Sequence, residues 1–145
     1  MLYETQIDTY LFSNDKLKLQ VNVIHNYLAN ESYWAKNIPL ATVKKAIKGS
    51  LCFAVYDNTV QIGFCRIITD NATFAYLADV FILETYRGKG LGKQFMQFVL
   101  NYSKLKKLRR FMLATKDAHT LYTKFGFTPL STPNRFMEIK PFESY

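Results

Sequence analysis

Residues 76–92 read YLADVFILETYRGKGLG. The first half, Tyr76 to Leu83, is an apolar, partly β-branched run interrupted by one acid, Asp79. Bounded by turn residues, such a run reads as a strand. The second half sets glycines at 88, 90 and 92, with Arg87 and Lys89 among them. Leu91, Phe95, Phe98 and Tyr102 then recur at helical spacing. A strand therefore passes through a basic, glycine-rich turn directly into a helix. Glycine lets the backbone turn tightly and lets a ligand approach its amides. The first amides of a helix lack internal partners, and the helix dipole favours an anion there. The segment predicts a phosphate or pyrophosphate site. Two common nucleotide motifs fail residue by residue. A dinucleotide fingerprint needs glycine where Lys93 stands, and a P-loop needs Ser or Thr where Gln94 stands and glycine in place of Arg87.

Working outward from that turn, residues 4–12 read as a first strand. Asn14 or Asp15 can cap a following helix, with Leu17, Val21, Ile24 and Leu28 on one face. Pro39 starts a second helix, carrying Leu40, Val43 and Ile47 and ending at Gly49. Residues 51–56 are continuously apolar, as in a strand buried on both faces. Runs over 60–69 and 73–83, separated by Asp70-Asn71, complete a three-stranded meander. After the helix over 91–103 come a short strand over 111–115 and a short helix, capped by Asp117 and stopped by Gly126. Residues 127–130 and 135–140 read as a final strand pair. The order β-α-α-β-β-β-α-β-α-β-β predicts an α/β (mixed α+β) fold, with a central, mostly antiparallel sheet and helices on both faces.

The 145 residues suffice for one domain with a real core. Nearly half are apolar, far from the composition of a disordered chain. No apolar run is long enough for a membrane helix, and Glu4 and Asp8 stand where a signal peptide would be apolar. Cys52 and Cys65 sit in apolar runs without metal-ligand spacing, and read as reduced core thiols of a cytoplasmic protein. No metal is expected. The net charge of +8 raises a nucleic-acid or anionic partner as a class. No nucleic-acid motif accompanies it, and the glycine-rich turn accounts for part of it.

Arg87-x-x-Gly90-x-Gly92 resembles the R/Q-x-x-G-x-G/A motif of the GNAT acetyltransferases. The Val80-Phe81-Ile82 strand and the Tyr86-Arg87-Gly88 run resemble that family's lead-in. Downstream, Ala118–Phe127 (AHTLYTKFGF) is similar to its A-x-x-L-Y-x-K-x-G-F segment. The likeness covers residues 4–141 as one acetyltransferase domain. Two positions depart from the family pattern: Glu84 replaces a frequent Pro, and Thr115 replaces a frequent Asn that holds the cofactor's pantetheine arm. Thr can still donate one hydrogen bond.

The resemblance implies acetyl-CoA as acyl donor and an amine as acceptor. It implies that Arg87, Gly88, Lys89, Gly90, Leu91 and Gly92 bind the CoA pyrophosphate, that Val80, Phe81 and Ile82 line the pantetheine and thioester, and that Thr115 adds a contact. Tyr122 matches the family's general acid, the alternative being an amphipathic core tyrosine. Asp79, a lone carboxylate in an apolar strand, is either the general base or a structural acid bonded to backbone or to Arg66. His119 is a second base candidate, with water a third, or else a solvated helix histidine; Glu84 reads as a loop surface residue. Tyr33 and Trp34, between the first two helices, offer an aromatic wall for the amine, or Trp34 plugs the core. Arg66, Thr69 and Asp70 are further residues within reach. A homodimer is implied by the family alone. A non-catalytic acyl-CoA-binding module is the competing reading, and the presence of both Tyr122 and a base candidate weighs against it. The lack of an accessory domain favours a small amine over a protein amine.

Overall fold

The fold is described from a computed structural model covering residues 1–145. Six strands form one sheet in chain order: β1 (Glu4–Ile7), β2 (Tyr10–Ser13), β3 (Leu51–Asp57), β4 (Val60–Thr69), β5 (Phe74–Ile82) and β6 (Arg110–Leu113). All neighbours are antiparallel except β5 and β6, which are parallel. Four helices accompany them: α1 (Val21–Asn26), α2 (Leu40–Lys48), α3 (Leu91–Leu100) and α4 (His119–Thr123).

The first expected strand is in fact a hairpin. Asp8-Thr9 forms its turn, with Asp8 at φ 54 and Ile7 paired to Tyr10. Asp tolerates this left-handed conformation. The first helix also starts later than predicted. Asp15 caps only a single turn over Lys16–Lys18, leaving Leu17 95% exposed. Gln20 and Gln61 then exchange backbone-to-side-chain bonds where α1 begins. The helix widens into a π turn over Tyr27–Glu31. Further along, α3 is shorter than the expected 91–103. Asp117 does not cap α4: the Thr115 hydroxyl accepts from the Ala118 amide at 3.0 Å.

The last predicted strand pair does not form; residues 127–140 hold one turn at Pro133–Arg135. Pro129 lacks the N–H that a ladder needs in the first run, and in the second Met137 and Ile139 stay 97% and 95% exposed, so no apolar face is buried. The outer edge of β6 therefore carries no strand.

Helices cover both faces. Ile24, Tyr27 and Leu28 of the first helical segment and Val43 of α2 pack on Cys52, Phe64 and Phe81. On the opposite face Phe95, Met96 and Val99 of α3 pack on Phe53, Ile62, Cys65 and Ile67. The continuous apolar run of β3 is thus explained, since its two sides feed two cores. Cys52 and Cys65 are free, buried and on opposite faces. No helix is long and apolar enough to cross a membrane.

Candidate active site

Two departures from regular pairing shape the site. First, β5 and β6 pair only from Phe74–Arg110 to Leu77–Leu113. From Ala78 onward the β6-side edge of β5 has no ladder partner, so the strands open into a fork. Second, β5 bulges: Phe64 pairs with Phe81 but Arg66 pairs with Ala78, leaving one extra residue on β5. Within that bulge Asp79 stands at φ 57. Such a backbone costs about 1–3 kcal/mol and persists only where its surroundings hold it. Here they do. Arg66 Nε donates to Asp79 Oδ2 at 2.6 Å, and Trp34 Nε1 donates to Oδ1 at 2.8 Å. The Arg66–Asp79 pair is largely buried, and Arg66 Nη1 also donates to Ser50 Oγ at 3.2 Å. Of the two roles open to Asp79 in the sequence, the structural one has its partners in place.

β4 approaches this strand closely. A Cβ on Gly63 would lie 2.7 Å from Ile82 Cδ1 and 3.1 Å from the Phe81 carbonyl oxygen. Phe81 itself turns away from the fork and stacks on Tyr27 at 4.1 Å, so only its backbone remains for a ligand. Val80 and Ile82 pack against the other core.

Downstream of β5, Gly88 and Gly90 both adopt φ 78, and Gly90 sits at the N-cap of α3. The amides of Gly88, Lys89, Gly90, Leu91, Gly92 and Lys93 donate to no group of the chain. That run of free donors, at the positive end of α3, has the electrostatics that suit an anion. Arg87 is not part of it. Its amide donates to the Glu84 carbonyl, its Nε to the Ile82 carbonyl at 2.9 Å and its Nη2 to Tyr27 Oη at 2.6 Å. Arg87 staples the loop to β5 and the first helical segment. Lys89 lies over the Tyr86 ring at 5.4 Å.

The fork opens into a cleft of about 530 Å³. Asp79 and Val80 line one arm, Thr115 and Lys116 the other, and Tyr33 and Trp34 the side facing the first helices. Tyr122 of α4 also lines it, 7% exposed, with its ring edge-on to Phe127. Burial, and then nearby negative charge, pushes its phenol up to about 12, so it is a proton donor at neutral pH. The helix connection straddles the fork. Trp34 bonds Asp79 on one arm, and Tyr33 Oη accepts from the Lys116 amide at 2.9 Å on the other. Trp34 is 39% exposed and is not a core plug.

The structure thus brings together Tyr33, Trp34, Asp79, Val80, Thr115 and Tyr122. The glycine-rich loop follows β5 after the Glu84–Tyr86 turn, and Arg87 to Gly92 do not line the cleft. Thr69 and Asp70 fall outside the cleft; Asp70 closes the β4–β5 turn by accepting from Thr73, Ala72 and Phe74, which hold its carboxyl well below the usual range. His119 and Glu84 do not line the cleft. Tyr76, Lys116 and Tyr145 do, and nothing in the sequence singled them out. Arg66 carried the one usable signal, a charge inside an apolar strand.

Comparison with known proteins agrees with this geometry. Residues 48–129 match the family described as acetyltransferase (GNAT) domain. A Gibberella zeae protein, provisionally named an acetyltransferase, is 34% identical over 136 residues, covering 79% of this chain and 76% of its own. A Xanthomonas campestris structure, provisionally assigned as a GNAT-family acetyltransferase, superposes with TM-score 0.89 at 45% identity, covering 93% and 95% of the two chains. An Elizabethkingia anophelis GNAT acetyltransferase with acetyl-CoA bound shares the fold at TM-score 0.63 and 16% identity, over 91% and 88% of the chains. With more than half its length inside the family match and its β5–α3 turn lined by unpaired amides, the chain belongs to the GNAT acetyltransferases.

Proposed function

We propose that the protein moves an acetyl group from acetyl-CoA to a primary amine by direct attack in a ternary complex, with residues 4–141 acting as one catalytic domain. The carrying observation is a pair of features, one beside β5 and one just after it in the chain. Free amides over Gly88–Lys93 suit a pyrophosphate, and the fork beside β5 opens onto Tyr122. The donor fits these residues. Nothing lies within 4 Å of a Cβ built on Gly92, so open space surrounds its unpaired amide.

In this reading the unpaired edge of β5 at Val80 and Ile82 receives the pantetheine arm, with Thr115 opposite. A backbone amide there polarises the thioester carbonyl, a contribution of about 2.7–4 kcal/mol per donor in a measured case. Acetyl-CoA supplies the activated acetyl group. Tyr122 donates a proton to the departing sulfur. Each Asp79 oxygen keeps a second lone pair beyond its bond to Trp34 or Arg66, so the amine's proton reaches it directly or through water. Tyr33 and Trp34 give the amine an aromatic wall. A small amine suits the 530 Å³ cleft bridged by those two residues better than a protein surface does. The reading sets the reaction in the cytoplasm, where the buried thiols stay reduced, and includes a homodimer, which sedimentation tests.

Isothermal titration with acetyl-CoA, with free CoA and ATP as controls, tests the donor site. An amine panel read by thiol release then tests turnover. Micromolar binding of acetyl-CoA but not ATP, followed by thiol release, is the expected result. Binding with no release for any amine would make the protein an acyl-CoA-binding module.

A further inference from the structure

Lys116 is the only lysine that lines the cleft. Lys116 is an exposed residue whose side chain nonetheless lies against the aromatic wall of the cleft. Its amide donates to Tyr33 Oη at 2.9 Å, and its Nζ lies over the ring of the same tyrosine, 5.5 Å from the centroid. The ammonium is therefore folded back onto the aromatic wall. It follows directly on Thr115, on the arm of the fork opposite Asp79. Tyr122 borders the same cleft. An amine is thus tethered inside the space proposed for the acceptor.

We propose that Lys116 is an acetylation site of the protein's own active cleft, modified in cis by the bound acyl thioester. The inference rests on the proposed acetyl-CoA reading. The Lys116 ammonium first loses a proton to water. Its nitrogen lone pair then attacks the thioester carbonyl carbon, the C–N bond forms and the C–S bond breaks. The sulfur leaves as CoA thiolate and takes a proton from the Tyr122 hydroxyl. The amide nitrogen's second proton passes through water and restores the phenol. Nε-acetyl-Lys116 and free CoA thiol are the products, and no oxidant or reductant is involved. Tethering makes the attack effectively unimolecular. Acetylation removes the charge and its attraction to the Tyr33 ring, so the modified side chain changes the acceptor end of the cleft.

The test is incubation of the full chain with acetyl-CoA and no added amine, followed by peptide mass mapping. Acetyl-CoA binding is measured in parallel by calorimetry. Lys116 should gain one acetyl group with a first-order rate independent of protein concentration. That rate should exceed those of Lys104, Lys106 and Lys107, which lie outside the cleft, by roughly 100-fold, from proximity. Tyr122→Phe should slow the Lys116 step while acetyl-CoA still binds, and K116R should lose the fast phase. Even acetylation across the lysines would overturn the proposal. So would an unmodified Lys116 in protein that binds acetyl-CoA, or a rate that rises with protein concentration. Failure to bind acetyl-CoA at all would overturn both this inference and the reading beneath it.

Discussion

Trp34 Nε1 donates to Asp79 Oδ1 at 2.8 Å, and this single bond ties the connection between the first two helices to the bulge of β5. On the other oxygen Arg66 forms an ion pair that is largely screened from water. Removing one partner of a buried pair leaves an uncompensated charge, which costs about 3–5 kcal/mol. Asp79→Ala should lower stability by that amount in urea unfolding. The double variant Asp79→Asn with Arg66→Met should recover most of it, because Asn tolerates the left-handed backbone and still accepts from Trp34 without a charge. If Asp79→Ala is as stable as the parent, the pair does not hold the bulge.

The phenol of Tyr122 has a catalytic prediction. Tyr122→Phe should lower turnover by roughly 10²–10⁴-fold, with acetyl-CoA affinity little changed in calorimetry. Unchanged turnover would remove Tyr122 from the mechanism and leave it a core residue.

The three loop glycines should respond differently. Gly88 and Gly90 need the left-handed backbone, so Ala at either costs about 1–2 kcal/mol. Gly92 sits in the first turn of α3 with open space around it. Gly92→Ala should be neutral or stabilising by up to about 1 kcal/mol, and should keep acetyl-CoA binding. Gly92→Glu should stay folded yet lose binding, because its carboxylate meets the same amides as the anion. Gly90→Glu should lose binding with an added stability cost. Retained binding in either Glu variant would undo the assignment of the loop.

Gly63 makes a purely structural prediction. A methyl there would meet Ile82 Cδ1 at 2.7 Å and the Phe81 carbonyl oxygen at 3.1 Å. The isoleucine tip can move but the carbonyl cannot without disturbing β5. Gly63→Ala should cost about 1–3 kcal/mol by overpacking, read as a lower urea midpoint, and should weaken acetyl-CoA binding through β5.

Alkaline pH should destabilise the fold. Burial raises the Cys52 thiol from 9.0 to about 11 and the Tyr122 phenol from 10.0 to about 12, and pushes Tyr56 up further. Each group favours its neutral form in the folded state. The stability it contributes is complete below its ordinary value and is lost as pH climbs through the raised one. Unfolding midpoints should therefore fall steadily above pH 9.0, and Tyr122→Phe should make the fall shallower above pH 10.0. A flat profile over that range would contradict the burial of these groups.

Local rules carried much of the fold. The glycine-rich turn, the apolar stripe of α3 and the doubly buried β3 follow from side-chain periodicity and backbone conformation over a few residues, and all three appear in the structure. Local rules also misread some ends. The Asp8-Thr9 turn lay hidden inside a strand-like run, and residues 127–140 look strand-like but join no ladder. The site itself depended on contacts between distant positions. Trp34 and Asp79 are 45 residues apart, and Tyr33 and Lys116 are 83 apart. Nothing in local spacing shows that Arg87 bonds Tyr27 and two backbone carbonyls while the amides after it stay unpaired. The sequence by itself determined the glycine loop, the helix it opens and the two apolar faces, because these depend on backbone freedom and side-chain period. Only tertiary structure decided the fork between β5 and β6, the partners of Asp79 and the place of Lys116, because each arises where separate elements meet and share hydrogen bonds.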